Sequence, residues 1–182
     1  MYVPSKKQRA LIKQQFAEDN LATPFSSSQP STPATFEPEV ALLIDSQNAY
    51  HAAKKSGEST RPDYSGIRDI AASYGRLGRA QIFVTTSFKN PSRWEPEFSV
   101  VRSTDQDVDY WLVTYAVEAI AAGVKTLVVV SGDHRFLEVA DICVRLGIRF
   151  IAIGVPECTS RRLKTDFEFH PMPTVKVPAA AA

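Results

Sequence analysis

Two aspartates directly follow apolar runs of the kind that form buried strands. Asp45 ends the run VALLI (residues 40–44), and Asp133 lies in SGD, just beyond TLVVV (126–130). A third acidic group, Asp105, Asp107 and Asp109, opens an apolar stretch that continues to Ala122. Helical spacing chooses within that group. From Asp109, positions i+3, i+4 and i+7 are Leu112, Val113 and Ala116, so its carboxylate shares an apolar stripe. From Asp107 the row runs through Tyr110, Trp111 and Thr114 to Glu118, a more polar face. The same test on Asp133 gives Phe136, Leu137 and Ala140. Inward-facing carboxylates are costly unless a cation offsets them. Oxygen-only donors of like charge suit a hard divalent ion, Mg²⁺ or Mn²⁺, which keeps waters and meets phosphate. Aspartate at a helix start is also a common N-cap, and residue by residue the cap is the simpler reading. Convergence of three acids on one edge favours the ligand reading for the set.

The elements that position these residues alternate. Residues 40–44, 80–85, 98–102, 126–130 and 149–153 read as strands, the first a continuous apolar run expected to be covered on both faces. Residues 63–74, 107–122 and 133–146 read as helices, closed by Gly75 and Gly78, Gly123, and Gly147. This order predicts an α/β fold, a mostly parallel central sheet with helices on both faces and right-handed crossovers. In such a sheet ligands bind beyond the carboxyl ends of the strands, where strand order reverses. Asp45 and Asp133 stand at that edge.

The contexts IDSQN, DVDYW and VVVSGD resemble the NYN (LabA-like) branch of the PIN-domain-like nuclease superfamily. Ile44, Asp45 and Asn48 match its IDxxN motif, Val108 and Asp109 its VD motif, and Ser131, Gly132, Asp133 and Phe136 its SGDxxF motif. Ser160, Leu163, Asp166 and Phe167 partly match a closing SxxLxxxADxF pattern. The resemblance covers about residues 39–170. It implies a three-layer α/β/α sandwich of PIN-like, Rossmann-like form and an endoribonuclease that hydrolyses RNA with Mg²⁺ or Mn²⁺. It further implies Asp45, Asp109 and Asp133 as metal ligands, with Asn48 and Ser131 orienting ligands or waters.

Two departures from that pattern remove negative charge. Tyr115 stands where many relatives carry a further acid, and SGDHR replaces SGDxD, placing Arg135 two residues after Asp133. Arg135 either pairs with a carboxylate and competes with the ion, or clamps phosphate with its guanidinium fork. A catalytically weak or inactive module that binds RNA or protein is the alternative to the enzyme. Arg161, Arg162 and Lys164 follow the last strand at the acidic edge and are candidate contacts to RNA phosphates, or simply a solvated helix face. Lys54 and Lys55 are weaker candidates of the same kind. His134 is a candidate proton donor or a surface histidine, and Trp94 a base-stacking residue or a core cap.

Several classes are excluded. The chain has no GxxxxGK loop, no GxGxxG and no GxSxG elbow. A receiver domain needs a lysine after the last strand, where Val155 and Pro156 stand, and a haloacid-dehalogenase-type phosphatase needs DxD, where Asp45-Ser46-Gln47 stands. Twenty-one basic residues against 20 acidic ones among 182 give a net charge of +1, so any RNA must be met by a local patch. Cys143 and Cys158 form no CxxC motif, and no apolar run approaches a membrane span. A cytoplasmic protein with no membrane partner is expected. Residues 23–38 hold 11 Ser, Thr or Pro in 16 positions, a linker composition. The segment 1–38 therefore reads as a flexible extension with a short polar helix at 5–19, a candidate for binding a protein partner. The domain occupies 39–170, is a candidate for homo-oligomer formation, and precedes a flexible tail at 171–182.

Overall fold

The computed structural model describes residues 39–86, 97–103 and 108–177. The readings made for residues 1–38, Trp94, Asp105, Asp107 and the last five residues lie outside it. The elements in order are β1 (Glu39–Asp45), α1 (Ser46–Lys55), β2 (Thr60–Pro62), α2 (Tyr64–Ala72), β3 (Arg76–Thr85), β4 (Ser99–Ser103), α3 (Val108–Ala121), β5 (Thr126–Val130), α4 (Leu137–Arg145), β6 (Arg149–Gly154), α5 (Arg161–Thr165), β7 (Glu168–Pro171) and β8 (Thr174–Lys176). Six strands form one parallel sheet in the order β4-β3-β1-β5-β6-β7. β2 and β8 pair separately and antiparallel.

Side-chain alternation along the strands sends residues to two cores. Val40, Leu42 and Ile44 pack with Ala49, Ala53, Ile67 and Ala71 of α1 and α2. Ala41 and Leu43 pack with Leu112 and Ala116 of α3 and with Val139 and Ala140 of α4. All five residues from Val40 to Ile44 are fully buried, as a strand covered on both faces requires. This is the expected α/β/α sandwich. Strand order reverses between β1 and β5: the chain moves outward through β3 and β4, then returns to the other side of β1. The carboxyl ends of these two strands carry Asp45 and the turn Ser131-Gly132-Asp133.

Several elements differ from the sequence expectation. α1 is absent from it, because SQNAYHAAKK buries only Ser46, Ala49, Ala52 and Ala53, and small residues leave no visible apolar stripe. β3 begins at Arg76 rather than Ala80, and Gly78, expected to end a helix, is the extra residue of a bulge. Val40 pairs with Leu77 and Ala41 with Arg79, and a Cβ at position 78 would collide with the Glu39 side chain. The helix expected over 133–146 is two pieces, a 3-10 turn at His134–Phe136 followed by α4. β7 and β8 fall where loop and tail were expected; β7 closes the sheet edge beside β6, and β8 covers β2. Among the described residues, no helix is long and apolar enough to cross a membrane.

Candidate functional site

Asp45 is the last residue of β1 and the N-cap of α1, where its Oδ1 accepts the backbone N–H of Asn48 at 2.9 Å. It is nearly buried, 4% exposed. Its carboxyl is pushed up to about 6, by burial first and then by the charges of Asp109 and Asp133, against the lowering effect of the Asn48 and Gln47 N–H groups. Asp133 caps the 3-10 turn that follows β5, its Oδ1 accepting the N–H of Arg135 at 2.9 Å. Both residues are therefore helix caps, as the simpler reading holds, and both also face the third aspartate. Asp109, in the first turn of α3, has a side chain 23% exposed. α3 covers the sheet face that carries Ala41 and Leu43, and continued alternation gives Asp45 the same face.

The three aspartates line one open pocket of about 230 Å³ together with Gln47, Asn48, His51 and Val108. Gln47 and His51 are not singled out by the sequence, and Val108 only as part of the VD motif. Reading Gln47 and His51 requires α1, on which positions 47, 48 and 51 share one face.

Asn48, which also lines the pocket, and Ser131 both hold the turn that carries Asp133. Asn48 Oδ1 accepts the N–H of Gly132 at 3.1 Å, and the buried Ser131 accepts the N–H of Asp133 at 3.3 Å through its Oγ. Gly132 in turn gives its carbonyl to the N–H of Ser160 at 2.9 Å. A Cβ on Gly132 would strike the backbone of Cys158 and Thr159, so only glycine permits this close approach. The closing motif is thus structural: Ser160 braces the turn, Leu163 is buried, and Phe167 packs edge-on against Phe150 at 5.5 Å.

Arg135 reaches from the 3-10 turn to Asp109, with Nη1 2.7 Å from Oδ2. His134 is largely exposed and stands 3.1 Å from Asp133 through Nδ1. Tyr115 packs its ring edge-on against Phe83, a core contact. Arg161, Arg162 and Lys164 lie on α5 and do not line the pocket. Arg162 pairs with Asp166 at 3.0 Å, and Lys164 donates to the Pro156 carbonyl at 2.6 Å. Lys54 and Lys55 are exposed at the far end of α1.

A hard divalent ion fits the chemistry of this donor set: three carboxylates, oxygen only, two at or just beyond the ends of adjacent strands and one in the first turn of α3. Their present spacing does not close a shell around one. Among the described residues, no three His, Cys, Asp or Glu side chains gather closely enough to hold a metal ion.

A family model described as NYN domain matches residues 39–172. A crystal structure of a protein of unknown function from Vibrio parahaemolyticus shares the fold, with a TM-score of 0.64 over 78% of this chain and 97% of that chain at 22% identity. No curated protein matches the sequence.

Proposed function

We propose that this chain, which belongs to the NYN domain family of the PIN-like nuclease superfamily, is a divalent-metal-dependent endoribonuclease acting at the Asp45, Asp109 and Asp133 edge. The observation that carries the reading is the convergence of these three aspartates on one open pocket at the point where strand order reverses. Mg²⁺ or Mn²⁺ there would lower the pKa of a bound water and offset charge on the phosphoryl oxygens.

The chain's own residues prepare that edge. Asp45 is the most rigidly held donor, fixed by burial and by the Asn48 N–H. Asn48 and Ser131 hold the turn that presents Asp133. Among the described residues the pocket opens to solvent, so an extended RNA backbone can enter it. Arg135, bound to Asp109, and the exposed Arg161, which lies outside the pocket, would be the cations that meet phosphate.

The second reading, an RNA-binding module without catalysis, is favoured by one observation: the unclosed shell in which a guanidinium grips Asp109. A divalent-ion titration followed by heat denaturation separates them. Under the enzyme reading Mn²⁺ raises the melting temperature, and Asp133→Asn removes the rise. A melting temperature indifferent to Mn²⁺ favours the binding module.

A further inference from the structure

We propose that Arg135 is a substrate-released latch on the cation site. In the free protein its guanidinium holds Asp109 away from the ion; an arriving RNA phosphate draws it off, so that RNA and divalent ion bind with positive coupling. This rests on the metal-dependent reading above and concerns the regulation of that same site.

Arg135 engages two of the three aspartates. Its backbone N–H donates to Asp133 Oδ1 at 2.9 Å, and its Nη1 donates to Asp109 Oδ2 at 2.7 Å. One residue thus ties the turn after β5 to the first turn of α3, and it adds a positive charge where three negative ones meet. The grip also explains why donors suited to a hard ion do not form a closed group. An oxygen of Asp109 is committed to the guanidinium, and the carboxylate is oriented toward Arg135.

The pair is built to exchange. The Arg135 side chain is 56% exposed and that of Asp109 only 23%, so the cation lies on the solvent side. Arg135 is not part of the pocket lining itself, but a phosphate approaching Asp109 from the solvent side meets the more exposed guanidinium before that carboxylate. Carboxylate and phosphate are matched by the same planar fork, so the guanidinium can pass from one to the other without losing a charge-assisted partner. An exposed ion pair of this kind contributes little net stability, so release costs little. Once Arg135 has moved to the phosphate, its charge no longer offsets the three carboxylates and a divalent ion takes that role. By linkage, the factor by which phosphate tightens the ion equals the factor by which the ion tightens phosphate.

Calorimetric Mn²⁺ titration of the full chain and of Arg135→Gln tests this. Each protein is titrated alone and with a saturating 2′-O-methyl phosphorothioate oligonucleotide, against an oligonucleotide blank. For the native chain, the oligonucleotide should tighten Mn²⁺ about 10-fold. Arg135→Gln should bind Mn²⁺ about 10-fold more tightly than the native chain without oligonucleotide, and the coupling should vanish. Arg135→Lys, which keeps the charge and loses the fork, should fall between. Equal Mn²⁺ affinity in native chain and Arg135→Gln overturns the latch while leaving the metal site standing. Coupling that persists in Arg135→Gln also overturns it. Absence of Mn²⁺ binding in every sample overturns both the latch and the metal-dependent reading.

Discussion

The side-chain Oδ1 of Asn48, on α1, accepts the backbone N–H of Gly132, at the end of β5, across 3.1 Å. This bond joins the two strand ends between which the sheet reverses, and it fixes the turn that carries Asp133. Asn48→Ala removes the acceptor and leaves the Gly132 N–H in a half-buried place, at a cost of about 1–3 kcal/mol. Because the group positions a proposed metal ligand, Mn²⁺ affinity should fall about 10–100-fold. Denaturant unfolding and a Mn²⁺ titration check the two effects. An Asn48→Ala protein with native Mn²⁺ affinity contradicts the positioning role.

Asp45 gives the stability a pH dependence. Its carboxyl lies at about 6 in the folded protein against an ordinary 3.8, so the fold holds this proton more tightly than the unfolded chain does. The stability gained in this way is full below about 3.8 and is lost as pH rises through about 6. At pH 7.5 in chelator, ionised Asp45 therefore costs up to about 3 kcal/mol. Asp45→Asn keeps the capping acceptor and removes the charge. It should be more stable than the native chain at pH 7.5 and show a flatter stability profile between pH 4 and 7. Urea unfolding across that range measures it; a variant less stable than the native chain at pH 7.5 contradicts the strained-carboxylate account.

The three cations of α5 should contribute unequally to RNA binding. Arg162 spends its guanidinium on Asp166 and Lys164 its ammonium on the Pro156 carbonyl, whereas Arg161 is exposed. Arg161→Ala should weaken RNA binding and reduce the salt slope by about 1. Arg162→Ala and Lys164→Ala should change it less. Filter binding at several salt concentrations distinguishes them, and a larger loss from Arg162→Ala than from Arg161→Ala contradicts the ranking.

Much of this was legible from residue order. The buried strands at β1 and β5 announce themselves as VALLI and TLVVV, and the aspartates that end them follow from the parallel-sheet rule. α1 was hidden because its buried face is made of serine and alanine, and with it went Gln47 and His51 of the pocket. Gly78 was misread because a glycine after a helix and a glycine in a bulge look alike before pairing is known. The grip of Arg135 on Asp109 spans 26 residues, and spacing alone left it undecided between carboxylate and phosphate. The bracing of Gly132 by Ser160 is a backbone contact between separate turns and leaves no side-chain pattern.

The domain boundary is also open to test. β1 begins at Glu39 and the family match begins at the same residue. A chain lacking residues 1–38 should unfold cooperatively, with a melting temperature within a few degrees of the full chain. A collapse of cooperativity would place structural contacts in the removed segment.

RNA cleavage in defined metal conditions tests the central claim most directly. Purified full chain is incubated with end-labelled single-stranded and structured RNA in Mn²⁺, in Mg²⁺ and in chelator, beside Asp45→Asn and Asp133→Asn. The account predicts internal cuts with a divalent ion, none in chelator, and loss of cutting by at least about 100-fold in both variants while their folds persist. Cutting that continues in chelator or survives both substitutions contradicts it, as does RNA left intact by the native chain at high concentration in Mn²⁺.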